Sequence, residues 1–169
     1  MMTKHKPVTM ITPPNALKAK VGGPLPALDQ AAIARAEAAL EKLSEQFADW
    51  IQEELARLTE AWAAFEAAPT VEARKHELHR RAHDLKGLAP TYGYPLVGRI
   101  SATLCKLTGD EHGDIAAPVH LLKAHVDAIK AAIAGKVMGA DHPVGLALAA
   151  ELEERTRTVI AAQSSETKA

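Results

Sequence analysis

From Asp29 to Ala68 the chain has neither proline nor glycine, and apolar residues recur at spacings of three, four and seven. They run Ile33, Leu40, Leu43, Phe47 and Trp50, then Ile51, Leu55, Leu58, Trp62 and Phe65. This is one helical stripe that moves over by one position near Trp50, which predicts a long helix that bends there or divides in two. Pro69–Thr70 closes it, and Thr70 is the expected N-cap of a second helix with Glu72 in its first turn. That helix carries Val71, Leu78, Ala82, Leu85 and Ala89 on one face. It stops at Pro90, which has no amide proton and whose ring clashes with the carbonyl of Lys86. Thr91–Pro95 supplies a turn. A third helix with Val97, Ile100, Leu104 and Leu107 ends at Thr108–Gly109. A fourth begins between Asp114 and Pro118, buries Val119, Leu122, Val126, Ile129 and Ile133, and ends at Gly135 and Gly139. A fifth stretch, Asp141 to Ala162, has a thinner stripe of Leu148, Leu152 and Val159.

Composition agrees with an all-α class. Alanine, the best helix former, accounts for 34 of 169 residues, and the aromatics are only Phe47, Trp50, Trp62, Phe65, Tyr92 and Tyr94. Short loops favour antiparallel neighbours, so the simplest assembly is an up-down antiparallel four-helix bundle with an extended N-terminal helix and an additional C-terminal helix. The first helix is too long for its neighbours, so its first half should project and pair with the fifth helix or with a second copy of the chain. Residues 1–28 hold five of the ten prolines, with Lys4, Lys6, Lys18 and Lys20 and no acid. The expected order is therefore a flexible basic Pro-rich tail (1–28), a helical arm (29–45), the bundle (46–136), and a C-terminal helix and tail (137–169).

Charge narrows the partners. Lys plus Arg is 20 and Asp plus Glu 21, so a strongly basic nucleic-acid binder is not indicated. No apolar run approaches the roughly 18–20 residues of a membrane helix, and Met1–Lys20 lacks the apolar core of a secretory signal. A cytoplasmic protein that binds neither nucleic acid nor membrane is expected. Cys105 stands alone, which excludes an internal disulfide and a cysteine zinc cluster, and it reads as a packing residue.

The second helix carries the one chemical signature. At about 100° per residue His83 lies far from the apolar stripe and faces solvent. Arg80 and Lys86 are its neighbours three residues back and three on, and Gly87 sits over the next turn. A helical glycine costs about 1 kcal/mol relative to Ala, and bare backbone beside His83 would let another surface approach closely. An exposed neutral imidazole is a nucleophile toward an activated phosphoryl group. Lys86 is placed to stabilise the resulting negative charge by charge-assisted hydrogen bonds. A helical histidine has no metal site or phosphate-cradling loop, so the partner must bring the rest of the phosphoryl-transfer machinery.

The run His83-Asp84-Leu85-Lys86-Gly87-Leu88-Ala89-Pro90-Thr91-Tyr92-Gly93 resembles the histidine phosphotransfer (HPt) domain signature: His, two residues, Lys, Gly, and a second Gly ten positions after the His. The resemblance implies a four-helix bundle with the phosphorylated His exposed on the second helix. It implies a carrier rather than an enzyme, which accepts a phosphoryl group from a receiver-domain aspartate and passes it to another receiver. On this likeness His83 is the phosphoacceptor and donor, Lys86 stabilises the phosphate, and Gly87 gives clearance to the receiver. The partners are response-regulator receiver domains, that of a hybrid histidine kinase among them. Mg²⁺ belongs to the receiver, so the chain itself needs no cofactor. Leu88 and Pro90 depart from the family pattern, which has small residues after the first Gly and a later helix end. No Gly-rich nucleotide-binding segment follows the motif, which argues against a kinase.

Residues 70–109 hold seven bases and three acids, complementary to an acidic receiver pocket, and Arg80, Arg81 and Arg99 are the expected docking contacts. Two other functions compete. His76, His79 and His83 lie within about 60° of arc and could face one metal ion, although no His-Glu-x-x-His motif is present and no metal is expected. A coiled-coil adaptor, homodimeric through the arm, is the second. His5, His112, His120, His125 and His142 read as scattered surface residues.

Overall fold

The computed structural model describes residues 30–109 and 116–166, apart from the side chains at 44, 45 and 164–166. The expected tail at 1–28 lies outside them, as do Asp29, His5 and His112. Among the described residues the fold is all-helical, with α1 Gln30–Ala67, α2 Glu72–Leu88, α3 Pro95–Thr108, α4 Val119–Ala134 and α5 Pro143–Glu166. The chain divides into two compact units at Glu41/Lys42. In the first, the described residues are a plain helix with Ile33 exposed and Leu40 65% exposed. The second holds the core.

The shift in the α1 stripe breaks no helix. It marks where the stripe enters the core: Trp50 is 40% exposed and Ile51 is fully buried. From there Ile51, Leu58, Trp62 and Phe65 join Leu78, Ala82 and Leu85 of α2, Val97, Ile100, Leu104 and Leu107 of α3, and Leu122, Val126, Ile129 and Ile133 of α4 in one cluster. Each such side chain removed from water contributes on the order of 1.5–3 kcal/mol, which is what holds helices of modest intrinsic stability together.

Two helix starts differ from expectation. Thr70 is not the N-cap of α2: Val71 occupies that position in extended backbone, without a side-chain cap, and is exposed rather than on the buried face. Its own N–H is taken by the Ala68 carbonyl at 3.1 Å, so the helix opens one residue later. The end of α1 is satisfied from outside, by Arg74 Nη1 donating to the Ala64 carbonyl at 3.1 Å. Val119, the first residue of α4, is likewise exposed, and the buried face includes Leu121, His125, Ala128 and Ala132.

The α2–α3 corner depends on proline and glycine. Ala89 caps α2 in helical backbone, Gly93 turns at φ +87°, and Pro95 opens α3 at its first turn. The Pro90 ring then lies on Gly98: a Cβ there would come 2.7 Å from Pro90 Cγ and 3.3 Å from the Lys86 carbonyl oxygen. Helices α2 and α3 can approach this closely only because position 98 has no side chain.

Helix α5 packs on α3 and α4. Gly145 sits against Leu96, Ala149 and Leu152 are buried, and Leu148, expected on the stripe, is exposed. Polar contacts then tie it along its length. Arg99 holds Glu153 with two hydrogen bonds of 2.5 and 2.7 Å, and Gln163 exchanges two of 3.0 Å with the Ala116 backbone.

His125 is the clearest correction. It is not a surface residue but is fully buried between α4 and α5. Its Nδ1 lies 2.8 Å from the Leu121 carbonyl, which can only accept, so the proton is on Nδ1 and Nε2 accepts from the Thr156 hydroxyl at 3.3 Å. Burial pushes its pKa below the ordinary value of 6.5, against a smaller opposing effect of the Leu121 hydrogen bond. The unfolded chain therefore binds a proton that the folded one refuses. The stability contributed by neutral His125 is complete above the unfolded pKa and is lost as pH falls from there toward the folded pKa. Urea unfolding of the wild type should show stability falling as pH drops through 6.5 and below, and His125→Gln should flatten that slope. An unchanged slope in the variant would show that His125 does not titrate in this way.

Candidate functional site

Leu78, Ala82, Leu85 and Ala89 are all fully buried, and this sets the rotation of α2 about its axis. The opposite face is thereby turned to solvent, and His83, Lys86 and Gly87 are all exposed on it. Among the described residues neither the His83 imidazole nor the Lys86 ammonium has a hydrogen-bond or ion-pair partner. A Cβ built on Gly87 meets nothing within 4 Å. Packing inside the chain thus gives no reason for glycine at that place.

The other sequence-predicted residues are placed differently. Arg80 and Arg81 both turn back onto Glu77, at 2.7 and 2.8 Å. The hydrogen bond from Arg80 holds the Glu77 carboxyl below the usual carboxylate range, and the Arg80 pKa is raised in turn. Arg99 is bound to Glu153 of α5, and that pair shifts Glu153 down and Arg99 up by the same hydrogen bonding. The basic surface expected over 70–109 is therefore partly neutralised within the chain, and Lys86 is the free cation nearest His83 in sequence.

The three histidines proposed for a metal are not brought together as a ligand set; among the described residues there is no group of three that could hold an ion. His76 faces Glu72 at 3.5 Å, and His79 puts its Nδ1 on Thr108 Oγ1 at 3.1 Å. Only His79 and His83 remain neighbours, with ring centroids 6.4 Å apart. Of the remaining histidines, His120 and His142 are exposed as expected.

Sequence reading missed an aromatic cluster at the C-terminal end of α2. Phe47 and Trp50 of α1 stack with Tyr92 of the turn, with centroids 5.3–6.0 Å apart, and Trp50 and Leu88 leave apolar surface exposed. The one-position shift at Trp50 was its signal. The second glycine of the motif serves this turn: Gly93, at positive φ, accepts from Gly139 N–H at 3.1 Å, and a Cβ there would strike Met138 Cε.

Comparison with protein-family models matches residues 42–134 to the Hpt domain. The chain belongs to the Hpt-domain family. Comparison with curated proteins and with solved structures gives no match. Hpt domains are phosphotransfer carriers in two-component phosphorelays, not kinases, and their usual partners are receiver domains. The matched span covers α2, α3, α4 and the core-forming part of α1, and it leaves α5 outside. No described helix is long and apolar enough to cross a membrane.

The two helical glycines of the Hpt region should respond oppositely to a methyl group. Gly87→Ala should raise stability by up to about 1 kcal/mol, the usual helix-interior preference for Ala. Gly98→Ala should lower it by about 1–3 kcal/mol, since the methyl collides with Pro90 and backbone. Urea denaturation of both variants checks this, and a destabilised Gly87→Ala would mean that the glycine serves the fold.

Proposed function

We propose that this Hpt domain is a phosphorelay intermediate that accepts a phosphoryl group on His83 from a receiver-domain aspartyl phosphate and passes it to a second receiver. The observation that carries this is the open space at Gly87 beside an exposed, unpartnered His83. A helical glycine that no internal contact requires is accounted for by an external surface that must come close.

The neutral imidazole attacks in line through Nε2. The new Nε2–P bond forms as the bond from phosphorus to the aspartyl oxygen breaks, and the receiver recovers its carboxylate. The ring keeps its proton on Nδ1 and is cationic while it carries the group, and breaking the Nε2–P bond in the next transfer restores the neutral imidazole. Lys86 offers its ammonium to the phosphoryl oxygens. Mg²⁺ is the receiver's and this chain supplies none. The reverse step delivers the group to the next receiver, which is the response regulator or the receiver of a hybrid histidine kinase.

Arg80, Arg81 and Arg99 act as docking contacts at the rim. Their pairing with Glu77 and Glu153 makes their contribution to encounter smaller than the base count of the segment implies. Residues 46–136 act as an up-down antiparallel four-helix bundle working in the cytoplasm. The arm, 29–45, joins two copies of the chain, a reading supported by the exposure of Ile33 and Leu40.

Incubation with a phosphorylated receiver should label the wild type and leave His83→Gln unlabelled. Label on the variant, or none on the wild type across a panel of receivers, contradicts the assignment. For the arm, light scattering should give a dimer for the full chain and a monomer for Ile33→Glu/Leu40→Glu; a monomeric wild type removes the dimer.

A further inference from the structure

Helix α2 holds a second imidazole one turn before His83, and the fold has built a place for it. His79 is half-buried, with its Nδ1 3.1 Å from Thr108 Oγ1. Thr108 is almost fully buried, and its hydroxyl proton goes to the Leu104 carbonyl at 2.9 Å. The same oxygen is therefore left to accept, and the donor is His79 Nδ1–H. In the neutral ring this makes Nε2 the lone-pair nitrogen, on the edge turned away from Thr108.

Gly109 shows that the ring needs this slot. Its backbone lies at φ −100°, ψ 168°, which any residue adopts, so conformation does not call for glycine. Yet a Cβ at 109 would stand 2.6 Å from His79 Cε1 and 3.1 Å from Nδ1. The imidazole and the Cys105 carbonyl oxygen, 3.0 Å from the same Cβ, together fill that space. The ring lies 6.4 Å from that of His83, centroid to centroid, at an interplanar angle of 31°.

We propose that His79 is a positioning residue for the phosphoryl group carried by His83. Its outward Nε2 and a phosphoryl oxygen share one proton in a hydrogen bond. No covalent bond to His79 forms. Thr108 fixes the tautomer that makes this possible, because only a ring with its other proton held inward presents Nε2 to the outside. Lys86 meets the group from the following turn, so the phosphoryl is held from both sides of His83 along the helix. The titratable neighbours of His79 on α2 are Lys75, His76 and His83, and from α3 it faces the Thr108 hydroxyl and the Gly109 backbone. Glu72 engages His76 and Glu77 engages Arg80, which leaves no described carboxylate paired with His79.

This inference rests on His83 being the phosphorylated residue, and the test separates the two. The full chain is phosphorylated by phosphoramidate, a donor that needs no receiver, and then equilibrated with an unphosphorylated receiver. Phosphorus NMR reads the distribution, and nitrogen NMR reads the histidine rings. On phosphorylation the His79 Nε2 resonance should move from the lone-pair toward the protonated position in the wild type. His79→Gln and Thr108→Val should each shift the phosphotransfer equilibrium toward the receiver by about tenfold, within the range of a hydrogen bond to a charged group. His76→Gln, on the same face, should leave it unchanged, and the unchanged circular dichroism of each variant establishes that it is folded. An equilibrium that stays within about twofold of wild type in both variants, with an unmoved His79 resonance, overturns the proposal. A chain that takes no phosphate on His83 overturns the reading on which it rests.

Discussion

One helix has to satisfy two solvents at once, and the rest of the molecule follows from how it does so. Helix α2 is not strongly amphipathic by composition. Its buried face is only Leu78, Ala82, Leu85 and the capping Ala89, yet all are removed completely from water. Small residues at 82 and 89 draw the neighbouring helices close, and that closeness locks the rotation of α2 about its axis. A turn of one residue, about 100°, would carry His83 toward the core and a buried leucine into water. The exposure of the histidine is thus a consequence of core packing, and no local contact has to hold it outside.

The same closeness explains where glycine and proline occur. Pro90 lies on Gly98, Gly93 turns the chain with a positive φ, and Gly109 gives way to the His79 ring. Each has a neighbour that requires it. Gly87 alone among these has none: a Cβ there meets open space, and under the proposed function that space is where a receiver comes close. Helix α5 bears on the opposite question, what the carrier keeps covered. Lying outside the family match, it still closes over α3 and α4 through Ala149, Leu152, the Thr156–His125 contact and the Arg99–Glu153 pair. The added helix is part of the core and restrains a basic residue that would otherwise be free at the surface.

Much of this was legible from hydropathy and motif. The faces of α2 and α3 repeat regularly, so the sequence alone places Leu78, Ala82, Leu85, Val97, Ile100, Leu104 and Leu107 inward. The motif located His83, Lys86 and Gly87 on the open side. What was not legible depends on partners distant in sequence. Arg99 and Glu153 are separated by 54 residues, and His79 and Thr108 by 29, and neither pair leaves a periodic trace. Helix α5 makes its contacts through Gly145, Ala149, Thr156 and Gln163, residues that a hydrophobic stripe does not report. His125 has a trace in the sequence: it stands three residues after Leu122 and four before Ile129, on the stripe itself, although histidine is less often buried than the aliphatic residues around it.

Core packing accounts for the exposure of His83, and the proposed function makes this one, among the exposed imidazoles, the place where phosphate is carried. Fragmentation mass spectrometry of the phosphorylated full chain, run under alkaline conditions that preserve phosphohistidine, tests it directly. The phosphoryl group should be found on His83 alone, with His76 and His79 unmodified although they share the same face. Phosphate on either of those residues, or on an aspartate, would contradict the account.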